Sequence, residues 1–215
     1  MKKIVALIIY ISGLTLFTSC GKVDNEISIL PPLPPTTIEK INTQLTEMVT
    51  FESEATVRYI SNKGENEYTT LQQVKDSGEY RIEVIAPEGM AGNVTVSDGE
   101  TITQLNKRLN AKVSLGMDDS KERTAILLTN FITNYFSSDN AIQSEPTSED
   151  NVTILEANIH GSHPYISRQE LIVDNDTLKP IKLLVYDPNG KERIVVTYNT
   201  FEYNIELEDS LFQLE

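Results

Sequence analysis

The chain has no tryptophan, only two histidines and a single cysteine, Cys20, among its 215 residues. One cysteine cannot form an intramolecular disulfide, and a structural zinc site needs several Cys or His ligands. Basic residues are also scarce, since 18 Lys and Arg stand against 32 Asp and Glu and give a net charge of −14. Such a surface repels phosphate backbones, so the composition argues against binding to DNA or RNA.

Cys20 stands directly after a short N-terminal leader. Two lysines precede the apolar run IVALIIYISGLTLF, which has the length of a signal-peptide core and is too short for a spanning helix of about 20 residues. Two small residues then precede Cys20, as in the bacterial lipobox, although Phe17 stands where that motif usually has Leu. We expect residues 1–19 to be a lipoprotein signal peptide. An ordinary secretory signal and an uncleaved anchor are the alternatives.

A diacylglycerol on Cys20 would anchor the protein to the extracytoplasmic face of a membrane, because two acyl chains hold stably where one is marginal. Removal of the leader takes away two lysines and no acid, which makes the remaining chain more negative. We therefore expect anionic headgroups to add no attraction, so that the lipid alone holds the protein at the membrane. The segment GKVDNEISILPPLPP follows, and its prolines favour a polyproline II tether over residues 20–35 rather than an SH3 ligand. Fully extended, it would reach about 45 Å.

Residues 36–215 show the patterns of one α+β domain. TTIEKINTQLTEMV has capping-box spacing between Thr36 and Glu39, followed by apolar residues at helical spacing. FESEATVRYI, EYTTLQQVK and EYRIEVIA alternate between apolar and polar residues, as strands do. NVTVSDGETITQL predicts a hairpin around Asp98-Gly99.

The second half of the domain repeats this order. KERTAILLTNFITNYFS predicts a second helix, capped near Asp118, with an apolar belt wider than one contact face needs. Further strands are predicted in NVTILEANI, SRQELIV, LKPIKLLVYD and KERIVVTYNTFEYN, the last two around a Pro-Asn-Gly turn. The order predicts an antiparallel sheet with helices against one face.

Several of these segments carry a resemblance to a known family. YRIEVIAPEG runs into the Asp-Gly hairpin, and LKPIKLLVYDPNGKERIVVTYNTFEYN is followed by a final Asp-Ser-Leu-Phe. This order resembles the LolA/LolB-like family of lipoprotein-sorting and lipoprotein-acceptor proteins. The resemblance implies an open antiparallel β half-barrel whose concave apolar face is filled by helices.

Within that family the likeness is strongest to the GerS-type spore-germination lipoproteins of clostridia. These are non-catalytic partners of a zinc-dependent N-acetylmuramoyl-L-alanine amidase that acts on cortex peptidoglycan. The resemblance therefore implies that this chain binds and activates such an amidase between the membranes of the developing spore. It marks no individual contact residue.

The sequence offers little chemistry of its own. HGSHPY places His160, Ser162 and His163 together, but strand or turn neighbours point to different sides, and the GxSxG motif of serine hydrolases does not occur. DNDT and DPNGKE, at Asp174 and Asp187, lack the register of a twelve-residue calcium loop and are typical of hairpin turns. We expect no enzymatic activity, no metal and no cofactor.

Two functions remain open at this point. A docking protein would bind an envelope enzyme, and the edges of an open sheet also favour strand addition and homodimer formation. A carrier would hold acyl chains in a cavity covered by the wide belt of the second helix, although such a belt is ordinarily core. The residues expected to line this cavity or core are Tyr59, Ile82, Val84, Leu128 and Phe131.

Overall fold

The computed structural model describes residues 34–116, 124–137, 142–143, 151–161 and 163–214. The leader, Cys20 and nearly all of the proposed tether lie outside the described residues, as do Asp118 and Ser162. The chain divides at Pro34, and Pro35–Glu215 forms the unit that contains the sheet.

Two helices and twelve strands make up the described part of this unit. The helices are α1 (Thr37–Thr46) and α2 (Leu128–Ser137), and a short 3₁₀ helix spans Asp209–Phe212. The strands are β1 (Thr50–Ser61), β2 (Gly64–Lys75), β3 (Glu79–Ala86), β4 (Val94–Asp98), β5 (Thr101–Asn106), β6 (Ala111–Gly116), β7 (Ile142–Gln143), β8 (Val152–Asn158), β9 (Arg168–Asp174), β10 (Pro180–Tyr186), β11 (Glu192–Tyr198) and β12 (Glu202–Tyr203).

All twelve strands belong to one antiparallel sheet. Its order is β6-β5-β4-β3-β2-β1-β11-β10-β9-β8-β7, and β12 pairs with β1 beside this path. Every pairing along this path joins strands that are neighbours in the chain, except the pairing of β1 with β11, in which Ala55 lies opposite Tyr198. The sheet is open, because within the described residues the path ends at β6 on one side and at β7 on the other. This confirms the predicted open antiparallel sheet.

Helix α1 forms as its sequence predicts. The Glu39 backbone N–H donates to Thr36 Oγ1 at 3.2 Å, and the Thr36 N–H donates to Glu39 Oε2 at 2.7 Å. This capping box satisfies two donors that the first helical turn leaves unpaired. Ile41 and Leu45, one turn apart, are buried.

One face of the sheet, called the inner face here, carries the hydrophobic core. On β1 every second residue from Phe51 to Val57 is buried, as expected for a strand with one buried face. The same core cluster takes in Ile41 and Leu45 from α1 and Leu128 and Phe131 from α2. The two helices therefore share one core with the sheet.

The second helix differs from its sequence prediction. Thr124 is helical, 125–127 form a turn in which the Leu127 N–H donates to the Thr124 carbonyl at 2.9 Å, and α2 then begins at Leu128, so a turn interrupts the predicted helix. All four residues from Ala125 to Leu128 are buried, which one face of a helix cannot achieve and a turn can. The wide apolar belt is thus mostly core, while Phe136 near the helix end is 49% exposed.

Candidate functional site

The inner face of β1–β6 holds a cavity of about 540 Å³, called the groove here. Its described lining is mainly aliphatic and aromatic, and it includes three tyrosines on neighbouring strands, Tyr59, Tyr68 and Tyr80. Leu109 from the β5–β6 turn and Met90 from the β3–β4 loop also line it. A volume of this size is typical of sites for small molecules, which span about 300–1,000 Å³.

The predicted cavity or core residues separate into two groups. Tyr59, Ile82 and Val84 line the groove. Leu128 and Phe131 are fully buried and do not line it, and the Phe131 ring stacks on Tyr135 with centroids 5.5 Å apart. The α2 region reaches the groove through Ile126, in the turn before the helix.

Polar groups in the groove are mostly tied to neighbouring protein atoms. Gln104 Nε2 donates to Thr95 Oγ1 at 3.3 Å, and Thr70 Oγ1 donates to the Ala55 carbonyl at 3.2 Å. Asn93 Oδ1 accepts from the Lys107 backbone N–H at 3.0 Å. Among the described lining residues there is no carboxylate, imidazole or amine. The groove therefore suits an apolar ligand or a partner's apolar side chains better than a charged substrate.

A second cavity of about 440 Å³ adjoins the tip of the β1–β2 hairpin. Tyr59 lines both cavities, and Tyr165 and Arg193 border this one. The Arg193 guanidinium is 2.6 Å from the buried Asp187 carboxylate. The Lys191 backbone N–H and the Arg193 side chain hold the pKa of Asp187 below its ordinary value. The Asp187 carboxylate and the Arg193 guanidinium together stabilise the β10–β11 turn.

The histidine pair does not form a catalytic arrangement with the described residues around it. His160 is exposed, and its Nδ1 is 3.4 Å from Asn134 Oδ1. His163 Nδ1 accepts the Tyr165 backbone N–H at 3.2 Å. Within the described ranges no three His, Cys, Asp or Glu side chains gather as metal ligands.

The aspartates of the two turn motifs act locally. Asp174 Oδ1 accepts the backbone N–H groups of Asp176 and Thr177 at 3.1 and 2.7 Å. Asp187 Oδ1 accepts those of Asn189 and Lys191 at 2.9 and 3.0 Å. These contacts are those of turn-forming side chains. Sequence patterns did not reveal that Asp187 is buried with Arg193, because the burial depends on neighbouring strands.

Neither of the helices in the described part of the chain has the length and apolarity needed to cross a membrane. The anchor expected at Cys20 lies outside these residues.

Comparison with solved structures shows the fold. An uncharacterised conserved protein from Thermus thermophilus matches with a TM-score of 0.52 at 12% identity, over 84% of this chain and 95% of that one. A putative outer membrane lipoprotein-sorting protein domain from Vibrio parahaemolyticus matches with a TM-score of 0.50 at 10% identity, over 82% and 94%. The predicted likeness to lipoprotein-sorting proteins is thus confirmed at the level of the fold.

A third match is to a chain of the complex between the CwlD amidase and the GerS lipoprotein of Clostridioides difficile. It has 25% identity over 81% of this chain and 100% of that chain, with a TM-score of 0.49. Comparison with curated protein sequences found no match.

The family comparison covers almost the whole chain. The model of the family described as sporulation protein YdcC-like matches residues 1–212. The chain belongs to the YdcC-like family of sporulation proteins.

Proposed function

We propose that this chain is a non-catalytic lipoprotein that binds and activates an N-acetylmuramoyl-L-alanine amidase of the spore cortex. Residues 1–19 are removed, Cys20 carries the lipid, residues 20–35 are the tether and residues 36–215 form the binding domain. The protein acts on the extracytoplasmic face of a membrane of the sporulating cell and so supports cortex modification and germination.

The observation that carries this proposal is membership of a sporulation family over residues 1–212, a range that includes the leader and Cys20. The sequence resemblance to GerS-type lipoproteins supplies the class of partner. The groove supports a binding role, since its described lining is mainly apolar and carries no group suited to acid–base or metal chemistry other than tyrosine.

The geometry offers two places where a partner can bind. The first place is the groove on the inner face, which we take to be the concave side of the half-barrel. Helices α1 and α2 fill the part of this face that lies outside the groove. The second place is β6, which within the described residues pairs only with β5 and so presents unpaired backbone groups along its other side. Such an edge suits strand addition by a partner or by a second copy.

Affinity capture from sporulating cells tests the proposal. The tagged full-length chain is purified from detergent-solubilised membranes, and proteins and lipids are identified in the same eluate. We expect a cell-wall amidase in the eluate. An eluate without any cell-wall enzyme, at wild-type levels of the bait, would contradict the proposal.

A matched pair of variants locates the contact. Val84 lines the groove, whereas the next residue, Ile85, does not line it and is 45% exposed. If the partner uses the groove, Val84→Glu abolishes capture and Ile85→Glu preserves it. Circular dichroism and thermal unfolding of both variants show that a loss of capture is not a loss of fold.

The groove itself favours a second candidate, a carrier of lipid or lipoprotein acyl chains. Its volume and its apolar lining fit an acyl chain. In this case the lipid extract of the eluate contains acyl lipid in stoichiometric amount beyond the Cys20 anchor, and no amidase is present. Val84→Glu then removes the lipid, and Ile85→Glu does not.

A further inference from the structure

The β5–β6 hairpin is positively charged, although the net charge of the chain is negative. Residues 101–116 contain Lys107, Arg108 and Lys112 and no acid, in a chain with 32 acids and 18 bases. Within the described residues none of these three side chains has an ion pair. The adjoining β3–β4 loop, 87–93, adds one acid, Glu88. The hairpin end is therefore a positive surface on a negative protein.

Exposed apolar side chains accompany these cations. Leu109, beside Arg108 at the tip of the turn, is 69% exposed. Val113 on β6 is 55% exposed, and Met90 on the adjoining loop is 39% exposed. Lys112 alternates along β6 with Ala111 and Val113, so the cation and the groove-lining side chains lie on opposite faces of the strand.

The turn that carries them is fixed in place. The Leu109 N–H donates to Asn106 Oδ1 at 3.0 Å, and the Lys107 N–H donates to Asn93 Oδ1 at 3.0 Å. The Lys107 stem passes so close to Gly92 that a Cβ there would lie 2.4 Å from Lys107 Cδ. These contacts hold the hairpin in place, so that its cations and its exposed apolar residues lie close together at the turn.

The opposite end of the same strands has the opposite charge. Asn106 pairs with Ala111 at the turn, and Thr101 pairs with Gly116 at the far end. The β4–β5 turn at this far end carries Asp98 and Glu100. Charge is therefore separated along β5, and the positive end is the one at which Leu109 and Met90 line the groove.

We propose that the tip of the β5–β6 hairpin, centred on Leu109, docks on an anionic phospholipid bilayer and turns the groove towards the membrane. The charges are complementary, because anionic headgroups attract clustered Lys and Arg, and exposed apolar side chains between cations enter the headgroup boundary. The inference rests on the proposed Cys20 anchor, which keeps a bilayer within reach of the tether, and is independent of the amidase.

A tryptophan reporter tests this proposal, because the chain has no tryptophan of its own. Leu109→Trp keeps an apolar side chain at the tip, and Glu100→Trp places the same reporter at the acidic end. Full-length lipidated protein carrying either change is reconstituted in vesicles whose acyl chains carry a bromine quencher. The vesicles contain phosphatidylcholine alone or phosphatidylcholine with phosphatidylglycerol.

We expect strong quenching and a blue shift for Leu109→Trp in the vesicles with phosphatidylglycerol, and little of either for Glu100→Trp. Each cation near an anionic surface changes the docked-to-free ratio about fivefold, so reversing Lys107 and Arg108 to Glu lowers it at least ~25-fold, to roughly the level of the far reporter. The matched control, Lys40→Glu with Lys191→Glu, changes two exposed lysines elsewhere and leaves the quenching unchanged.

Equal quenching of the two reporters would overturn the proposal, as would quenching that ignores both phosphatidylglycerol and the reversed charges. A blue shift that requires an added acidic protein and not vesicles would assign the hairpin to a protein partner instead. If the protein captures the amidase and the vesicle result is negative, only this inference fails. Quenching without amidase capture leaves the inference standing and removes the proposed function.

Discussion

At the scale of single residues, the clearest contrast lies between Phe131 and Val84. Phe131 is fully buried in the shared core, whereas Val84 is half-buried and lines the groove. Truncating a core aromatic residue loses its burial and leaves a cavity, so we expect Phe131→Ala to lower the free energy of unfolding by about 3–5 kcal/mol. Val84 borders an existing cavity, so we expect Val84→Ala to lower the free energy of unfolding by about 1 kcal/mol or less.

Denaturant unfolding of both variants measures the difference. A near-neutral effect of Phe131→Ala would mean that the α2 region lines a cavity rather than the core. A cost as large for Val84→Ala as for Phe131→Ala would mean that the groove is filled in solution.

Asp187 makes stability depend on pH. Its pKa is lowered in the folded state, chiefly by the Lys191 backbone N–H and also by Arg193. The stabilisation is therefore complete above the unfolded pKa of an Asp, about 3.9, and is lost as pH falls through the lower folded value. Asp187→Asn lacks this contribution. We expect it to be less stable than wild type at neutral pH, with a gap that narrows in acid.

Urea unfolding of the two proteins across this pH range measures the gap. Asp76→Asn, at an exposed aspartate in the β2–β3 turn, is the matched control. A gap for Asp187→Asn that stays constant or widens in acid would contradict the assigned role.

At the scale of elements, α2 is joined to the sheet by a buried amide pair. Gln169 Nε2 donates to the Ala125 carbonyl at 3.0 Å, and Asn134 Nδ2 donates to Gln169 Oε1 at 3.0 Å. Gln169→Leu leaves the Ala125 carbonyl and the Asn134 Nδ2 group without this hydrogen-bond partner. We expect it to lower the free energy of unfolding by about 2–4 kcal/mol. Gln73→Leu, at a half-buried outer position, changes stability by about 0.5 kcal/mol.

A double-mutant cycle of Gln169→Leu with Asn134→Leu separates the bond from the burial. We expect the double variant to lose less than the sum of the two single losses, because each single change removes the same hydrogen bond between the two amides. Strict additivity would show that the two residues do not stabilise the α2 contact as a pair.

Much of this element-scale structure could be predicted from local patterns. Alternation predicts the inner face of β1 from Phe51 to Val57, and the Thr36–Glu39 spacing predicts the start of α1. Other features depend on distant residues. The pairing of Ala55 with Tyr198 joins strands that are remote in sequence. Strand β6 forms because Ala111–Gly116 pairs with β5. The turn at Ala125 to Leu127, which interrupts the predicted second helix, also escaped prediction, since it forms where the core buries all three residues.

The site was predictable only in part, for the same reason. Apolar alternation selects Tyr59, Ile82 and Val84 as inward residues. It cannot tell whether a helix fills the space in front of them, and that decides between core and groove. Leu109 and Met90 lie in connecting segments without periodicity, so nothing in the pattern of the chain indicated that they border the groove.

At the scale of the whole molecule, attachment through Cys20 is a separate prediction. Cys20→Ser removes the sulfur that would carry two acyl chains, so we expect the protein to move from the membrane to the soluble fraction. Ser19→Ala keeps a small residue before the cysteine and should leave the protein membrane-bound. Fractionation with immunoblotting measures the distribution. Membrane retention of Cys20→Ser with its leader cleaved would exclude the lipid anchor.

The open sheet, the apolar groove and membership of a sporulation family support the proposed regulator of a cortex amidase. Muropeptide analysis of purified spores from a deletion strain tests this proposal. We expect the spores to lack muramic-δ-lactam, the cortex modification that such an amidase helps to make, although the amidase protein is present, and we expect the full-length gene to restore it. Spores with wild-type muramic-δ-lactam in the deletion strain would contradict it.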